Sequence, residues 1–199
     1  MNYLNTKQAV LTFSALYLLG GGLFFLTQGN LEFVIYVGVI VAVFVLLFGT
    51  LKTTQFPVSI LWLVSVWGLL HILGGSVQTV DGVLFAYKIY PFLDLGGEFY
   101  ILKYDQLVHA FLYGVVALVF WHVLTHTLKV TQPVWILVII ALMASMGVSA
   151  MNEIMEFLIA VTVEQNGVGG YENAMLDLLF NFSGAVIAMV ALWTRRNFN

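Results

Sequence analysis

The sequence predicts an all-α, polytopic transmembrane bundle of about six helices, with the N- and C-termini in the cytoplasm. Three observations carry this expectation. The chain of 199 residues is 61% hydrophobic and only 9% charged, against roughly 25% charged residues in soluble domains. Its apolar residues fall into six long runs, each near the roughly 20 residues that cross a bilayer. Its charges separate cleanly by sign once those runs alternate direction.

The first run covers residues 8–28. Lys7 ahead of an apolar stretch resembles a signal peptide, but the stretch is long and "GGGLFFLTQGN" offers no small-residue cleavage site, so it reads as a retained helix. The second run covers 33–51. The third covers 57–76 and opens on Pro57, a residue suited to the first helical turn. The fourth runs from Asp105 to 127. The fifth, 134–163, follows Pro133 and is too long for a simple span, so it either tilts or projects its "NEIMEF" turns beyond the hydrocarbon. The sixth covers 173–193. All six belong to one integral membrane domain, 1–199.

With six spans both termini share one side. Lys7, Lys52, Lys129, Arg195 and Arg196 fall on it without a single acid. All ten acids fall on the other side, joined only by Lys88 and Lys103. The positive-inside rule makes the basic side cytoplasmic, the arrangement of a multi-pass protein of a bacterial inner membrane. The one long connection, 77–104, is then extracytoplasmic. Its spread aromatics suit a segment lying on the interface or folding over the helix ends as a lid.

Polar residues interrupt the runs in a pattern. Asp105 and His109 are four apart, as are Asp177 and Asn181, and Glu153 and Glu156 are three apart; each pair shares a helix face. His71 stands alone in the third run. Counted from the cytoplasmic ends at about 1.5 Å per residue, His71 lies at about 21 Å, His109 at about 30 Å, Asp105 at about 36 Å, Glu153 at about 30 Å, Glu156 at about 34 Å, Asp177 at about 27 Å and Asn181 at about 21 Å. Against a core of about 30 Å, all seven lie in the outer leaflet or at its surface. Each has a plainer reading: Asp105 as a helix cap, Glu156 in interfacial water, Asp177 and Asn181 as helix-stitching groups. Their common depth favours one shared polar site, because ionisable groups in a membrane are costly unless paired or facing a cavity. "LGGS", "ASMGVSA" and "SGA" beside them allow close helix approach and leave room for a pocket.

Carboxylates and imidazoles form a hard ligand set suited to Zn, Mn, Fe or Mg. The ligand candidates are His71, His109, Glu153 and Asp177, with Glu156 or Asp105 as general base and Asn181 orienting a ligand or substrate. The expected chemistry is hydrolysis of a lipid or lipid-linked substrate by metal-activated water. Transport of a cation or proton is a second reading, but no ionisable path continues to the cytoplasmic face and no inverted repeat is visible. A structural or accessory membrane protein is the third. His122 and His126 form an H-x-x-x-H pair with no acid on their side, so they read as interfacial residues. With no cysteine, thiolate ligands and cysteine nucleophiles are excluded. No arginine lies on the outer side to clamp a phosphate, and no basic patch suggests nucleic acid. The oligomeric state is not encoded in any of these patterns.

"YDQLVH", "NEIMEF" and "NAMLDLLFNFSGA", in that order, resemble an uncharacterised family of bacterial inner-membrane proteins typified by YjdF. The resemblance covers about 103–185, and the first three runs share only hydropathy with it. D-x-x-x-N-x-x-G over Asp177, Asn181 and Gly184 is also similar to the signature of VanZ-like membrane proteins, which have fewer spans and lack the Glu-x-x-Glu piece. The resemblance implies that the polar residues are a family signature. It implies no reaction, and glycopeptide tolerance is not carried over.

Overall fold

The computed structural model describes the backbone of residues 3–197 and the side chains of 6–195. The side chain of Arg196, one of the expected cytoplasmic charges, lies outside the described residues. Among them are six helices long and apolar enough to cross a membrane. α1 is Tyr3–Thr27, α2 Leu31–Gly49 and α4 Val58–Ser76, with the short α3, Leu51–Thr54, between the last two. α5 is Tyr104–His122, prolonged by a π-helical turn over Val123–Thr127; α6 is Val134–Thr162 and α7 Tyr171–Asn197. The chain is an all-α, multi-pass membrane bundle.

Local chemistry sets the helix ends. Asn30 caps α2 by accepting the Phe33 N–H at 3.1 Å. Pro57 and Pro133 stand immediately before α4 and α6, where a missing N–H costs nothing. α6 runs unbroken through "NEIMEF", so Glu153 and Glu156 are fully helical. Asp105 is not the cap of α5. That helix starts one residue earlier, and Gln106 does the capping: its Oε1 accepts the Leu102 and Lys103 N–H groups at 3.1 and 3.0 Å. Leu102 has φ of 102°, a strained value for a branched side chain, and the two hydrogen bonds from its own N–H and that of Lys103 hold it.

The long connection 77–104 contains two small antiparallel hairpins. β1 (Gln78–Thr79) pairs with β2 (Gly82–Val83), and β3 (Lys88–Gly96) pairs with β4 (Phe99–Lys103). All nine residues of β3 are exposed, whereas Phe85, between the hairpins, packs on Phe33 and His71. The segment therefore combines an exposed ribbon with a part folded over the helix ends.

At the far end of the bundle His122 is buried, and its Nε2 bonds the Thr54 carbonyl at 2.8 Å. Its ring stacks on His126 at 4.7 Å. The expected interfacial pair thus joins α5 to the α3 turn, because the α3 C-terminus presents a carbonyl that needs a donor.

Candidate functional site

α5 and α7 cross at backbone contact. A Cβ on Gly184 would collide with the Ala110 carbonyl, and one on Gly114 would lie 3.1 Å from the Gly184 oxygen. Only glycine permits this approach. One residue before Ala110 is His109, and three before Gly184 is Asn181. The crossing brings them together: His109 Nδ1 and Asn181 Oδ1 are 3.0 Å apart. Asn181 Nδ2 donates to Ser149 Oγ on α6 at 2.7 Å, so this fully buried amide ties three helices and fixes the imidazole. The pairing to an amide oxygen assigns the His109 proton to Nδ1 and directs Nε2 to the other side.

On that side lie carboxylates. His109 Nε2 is 3.5 Å from Asp105 Oδ1 and 4.0 Å from Glu156 Oε1. Glu156 also accepts from Asn152 Nδ2 at 2.6 Å, one helical turn back. Asp177 is fully buried. Its Oδ2 accepts from Asn173 Nδ2 at 2.7 Å, and Asn173 Oδ1 accepts from Lys103 Nζ at 3.1 Å. Asp177 Oδ1 and both oxygens of Glu153 are buried with no hydrogen-bond partner.

These groups converge. One ligand atom from each of Asp105, His109 and Asp177 lies within 4.8 Å of the others, and the same holds for Glu153, Glu156 and Asp177. Asp177 belongs to both sets. Six of the seven residues singled out by the sequence therefore meet, Asn181 as the group that orients His109. His71 is the exception and falls in neither set. Its ring is boxed by Tyr36, Trp67 and Phe85 at centroid distances of 5.3, 5.9 and 5.0 Å, with Phe33 at 6.3 Å. Its Nε2 is buried and unpartnered.

What His71 shares with the cluster is a cavity. A space of about 70 Å³ is lined by His71, Asp105, His109 and Glu156, and on the remaining sides by Glu32, Phe33 and Tyr36 of α2, Val83 and Phe85 of the long connection, and residues near the start of α7. It is polar and roomy enough for a few waters or a small ligand group. Gly74 and Gly75 make the wall possible, because a Cβ on either would strike the ring of Phe85 or Phe33.

Sequence reasoning missed Glu32, Tyr36, Ser149, Asn152 and Asn173 as parts of the site. Two of them were within reach: Asn173 extends the four-residue ladder of Asp177 and Asn181 by one step, and Asn152 stands four before Glu156. Glu32 and Tyr36 gave no signal, since only the tertiary fold places that end of α2 on the cavity shared with α5 and α6.

No curated protein and no solved structure matches the chain at significance. A family model described as "Predicted membrane protein (DUF2238)" matches residues 9–198, nearly the whole chain, six candidate spans and polar cluster included, and the chain therefore belongs to that family of membrane proteins.

Proposed function

We propose that the cluster is a divalent-cation centre opening to the outer side of a bacterial inner membrane, and that it serves hydrolysis of a lipid or lipid-linked substrate. The observation that carries the reading is Asp177. It is wholly buried, it leaves one oxygen unpartnered, and it belongs to both ligand sets. Four carboxylates gather with one imidazole, and among the described residues no Lys or Arg is ion-paired with any of them. Taking such a set out of water is costly unless a cation is bound. Asp105, His109, Glu153, Glu156 and Asp177 offer one nitrogen and otherwise oxygen, which suits Zn, Mn, Fe or Mg. Asp177, common to both sets, would serve as a ligand whichever set holds the cation.

A bound ion supplies Lewis acidity and an activated water. The residues of the chain supply the rest. Asn181 holds His109 in one tautomer, as second-shell groups do for metal ligands. Asp105 and Glu156 stand both beside His109 Nε2 and on the cavity wall, the position for a group that takes a proton from a reacting water. The cytoplasmic orientation of both termini, from the charge asymmetry, belongs to the same proposal. A transport role lacks such support, because the cavity lining stays with the outer polar layer and no second polar cluster continues it among the described residues.

Elemental analysis of the detergent-purified protein tests the centre. The parent is expected to carry stoichiometric divalent metal, and Glu153→Gln and Asp177→Asn to lose it while keeping the parent's helical content. A metal-free parent, or variants that retain the full complement, would sink the proposal.

A further inference from the structure

We propose that the cavity beside the metal centre is a subsite for a primary ammonium group, so that the substrate carries an amine close to the bond that reacts. The inference rests on the metal-centre reading for the reacting end and adds the recognition end.

Glu32 is the key residue. It is 5% exposed, within the first turn of α2, and its side chain lines the cavity. Its Oε2 accepts the Gly167 N–H at 2.7 Å, and Tyr36 follows one turn later on the same helix face. The bond from Gly167 orients the carboxylate without neutralising it. Among the described residues no Lys or Arg pairs with Glu32, and none lines the cavity. A buried, oriented and uncompensated carboxylate calls for a cation.

The other walls specify which kind. Phe33, Tyr36 and Phe85 present aromatic surface, which attracts a cation through the ring quadrupole. The His71 ring also lines this space. The oriented Glu32 carboxylate accepts hydrogen bonds from N–H donors, which a primary ammonium has and a quaternary one lacks. The cavity, about 70 Å³, has room for an ammonium group. Asp105 and Glu156, which belong to the two ligand sets, line the same cavity and so connect the subsite to the metal centre. A bare anionic group at the recognition end would meet repulsion from Glu32. His71 thereby takes the substrate side of the site, consistent with its absence from both ligand sets.

The test uses metal-analysed full-length protein in detergent and measures binding of dihexanoyl phosphatidylethanolamine, phosphatidylcholine and phosphatidylglycerol, with free ethanolamine alongside. The parent is expected to bind the ethanolamine lipid at least about tenfold more tightly than the other two lipids, the scale of one hydrogen-bonded charged contact. Glu32→Gln keeps an oxygen for Gly167 and removes only the charge; it is expected to abolish the preference while retaining the parent's metal content. Free ethanolamine binding as tightly as the lipid keeps the ammonium subsite and assigns it to a soluble amine. A metal-loaded parent that binds all three lipids alike, or a Glu32→Gln variant with the preference intact, overturns the subsite and leaves the metal centre standing. A metal-free parent overturns the centre itself, whichever lipid it prefers.

Discussion

Where α5 crosses α7 the two backbones touch, and polar groups of the proposed site are placed by that contact. Where α2 reaches the same cavity, it does so through long side chains. His109 and Asn181 sit within a turn of the Ala110–Gly184 contact, and their 3.0 Å bond is a consequence of it. Glu32 and Tyr36 reach inward from a helix whose two glycines, Gly38 and Gly49, both have open space around them. Backbone contact gives a position that side-chain rotation cannot relax. Side-chain reach gives one that can adapt to what is bound. The first suits metal ligands, which need fixed geometry; the second suits recognition of a substrate group.

The largest effect should come from breaking the crossing. Gly184→Ala places a methyl against a backbone carbonyl that has no rotamer to escape into, so a loss of about 3 kcal/mol or more is expected. Thermal unfolding in detergent reads it, and bound metal should fall with it. Gly38→Ala, in open space, should not lower stability at all, since alanine is the better helix former. Equal behaviour of the two variants would mean that the crossing does not set the site.

Next comes Asn181→Ala. It removes the partner of His109 Nδ1 and of Ser149 Oγ together, in a fully buried position. The expected cost is about 2 kcal/mol of stability. Metal affinity should drop about 10- to 100-fold, the usual effect of losing a group that orients a ligand. Titration with the metal identified in the parent checks it. Unchanged affinity would assign Asn181 to helix stitching alone.

The division between the two halves also explains what could be read in advance. The six long helices follow from hydropathy, which needs no knowledge of packing. The cluster of Asp105, His109, Glu153, Glu156, Asp177 and Asn181 follows from depth and helical spacing, because each helix keeps one register against the membrane. His71 satisfies the same depth criterion, yet it faces the cavity instead of the ligand sets. Depth fixes height, not azimuth. Glu32 and Tyr36 stayed hidden for that reason too, since which face of α2 turns inward is decided by Phe33 and Phe44 packing into the core. Gln106, beside Asp105 at the start of its helix, gave no hint that it holds the strained Leu102 junction. The hairpin of β3 and β4 was illegible for a different cause: a two-stranded ribbon exposed along one whole strand has no buried face to impose an alternating pattern.

The smallest effect is the most discriminating. Tyr36→Phe removes one polar hydroxyl from the cavity-lining helix face that carries Glu32, while keeping the ring that packs edge-on against His71 at 5.3 Å. The expected loss of stability is about 1 kcal/mol. Metal content should be unchanged, because no ligand in either set depends on α2. The preference for an ammonium headgroup should weaken but persist, since Glu32 keeps its charge and its bond to Gly167. Metal analysis and lipid binding on the same preparation separate the two readouts. If Tyr36→Phe released the metal, α2 would be coupled to the α5–α7 crossing as one rigid unit, and the contrast between a fixed metal end and an adaptable recognition end would be lost. If it left both metal and headgroup preference intact, the carboxylate of Glu32 would be held by Gly167 alone, and the loop between α6 and α7 would become the element that positions the recognition end.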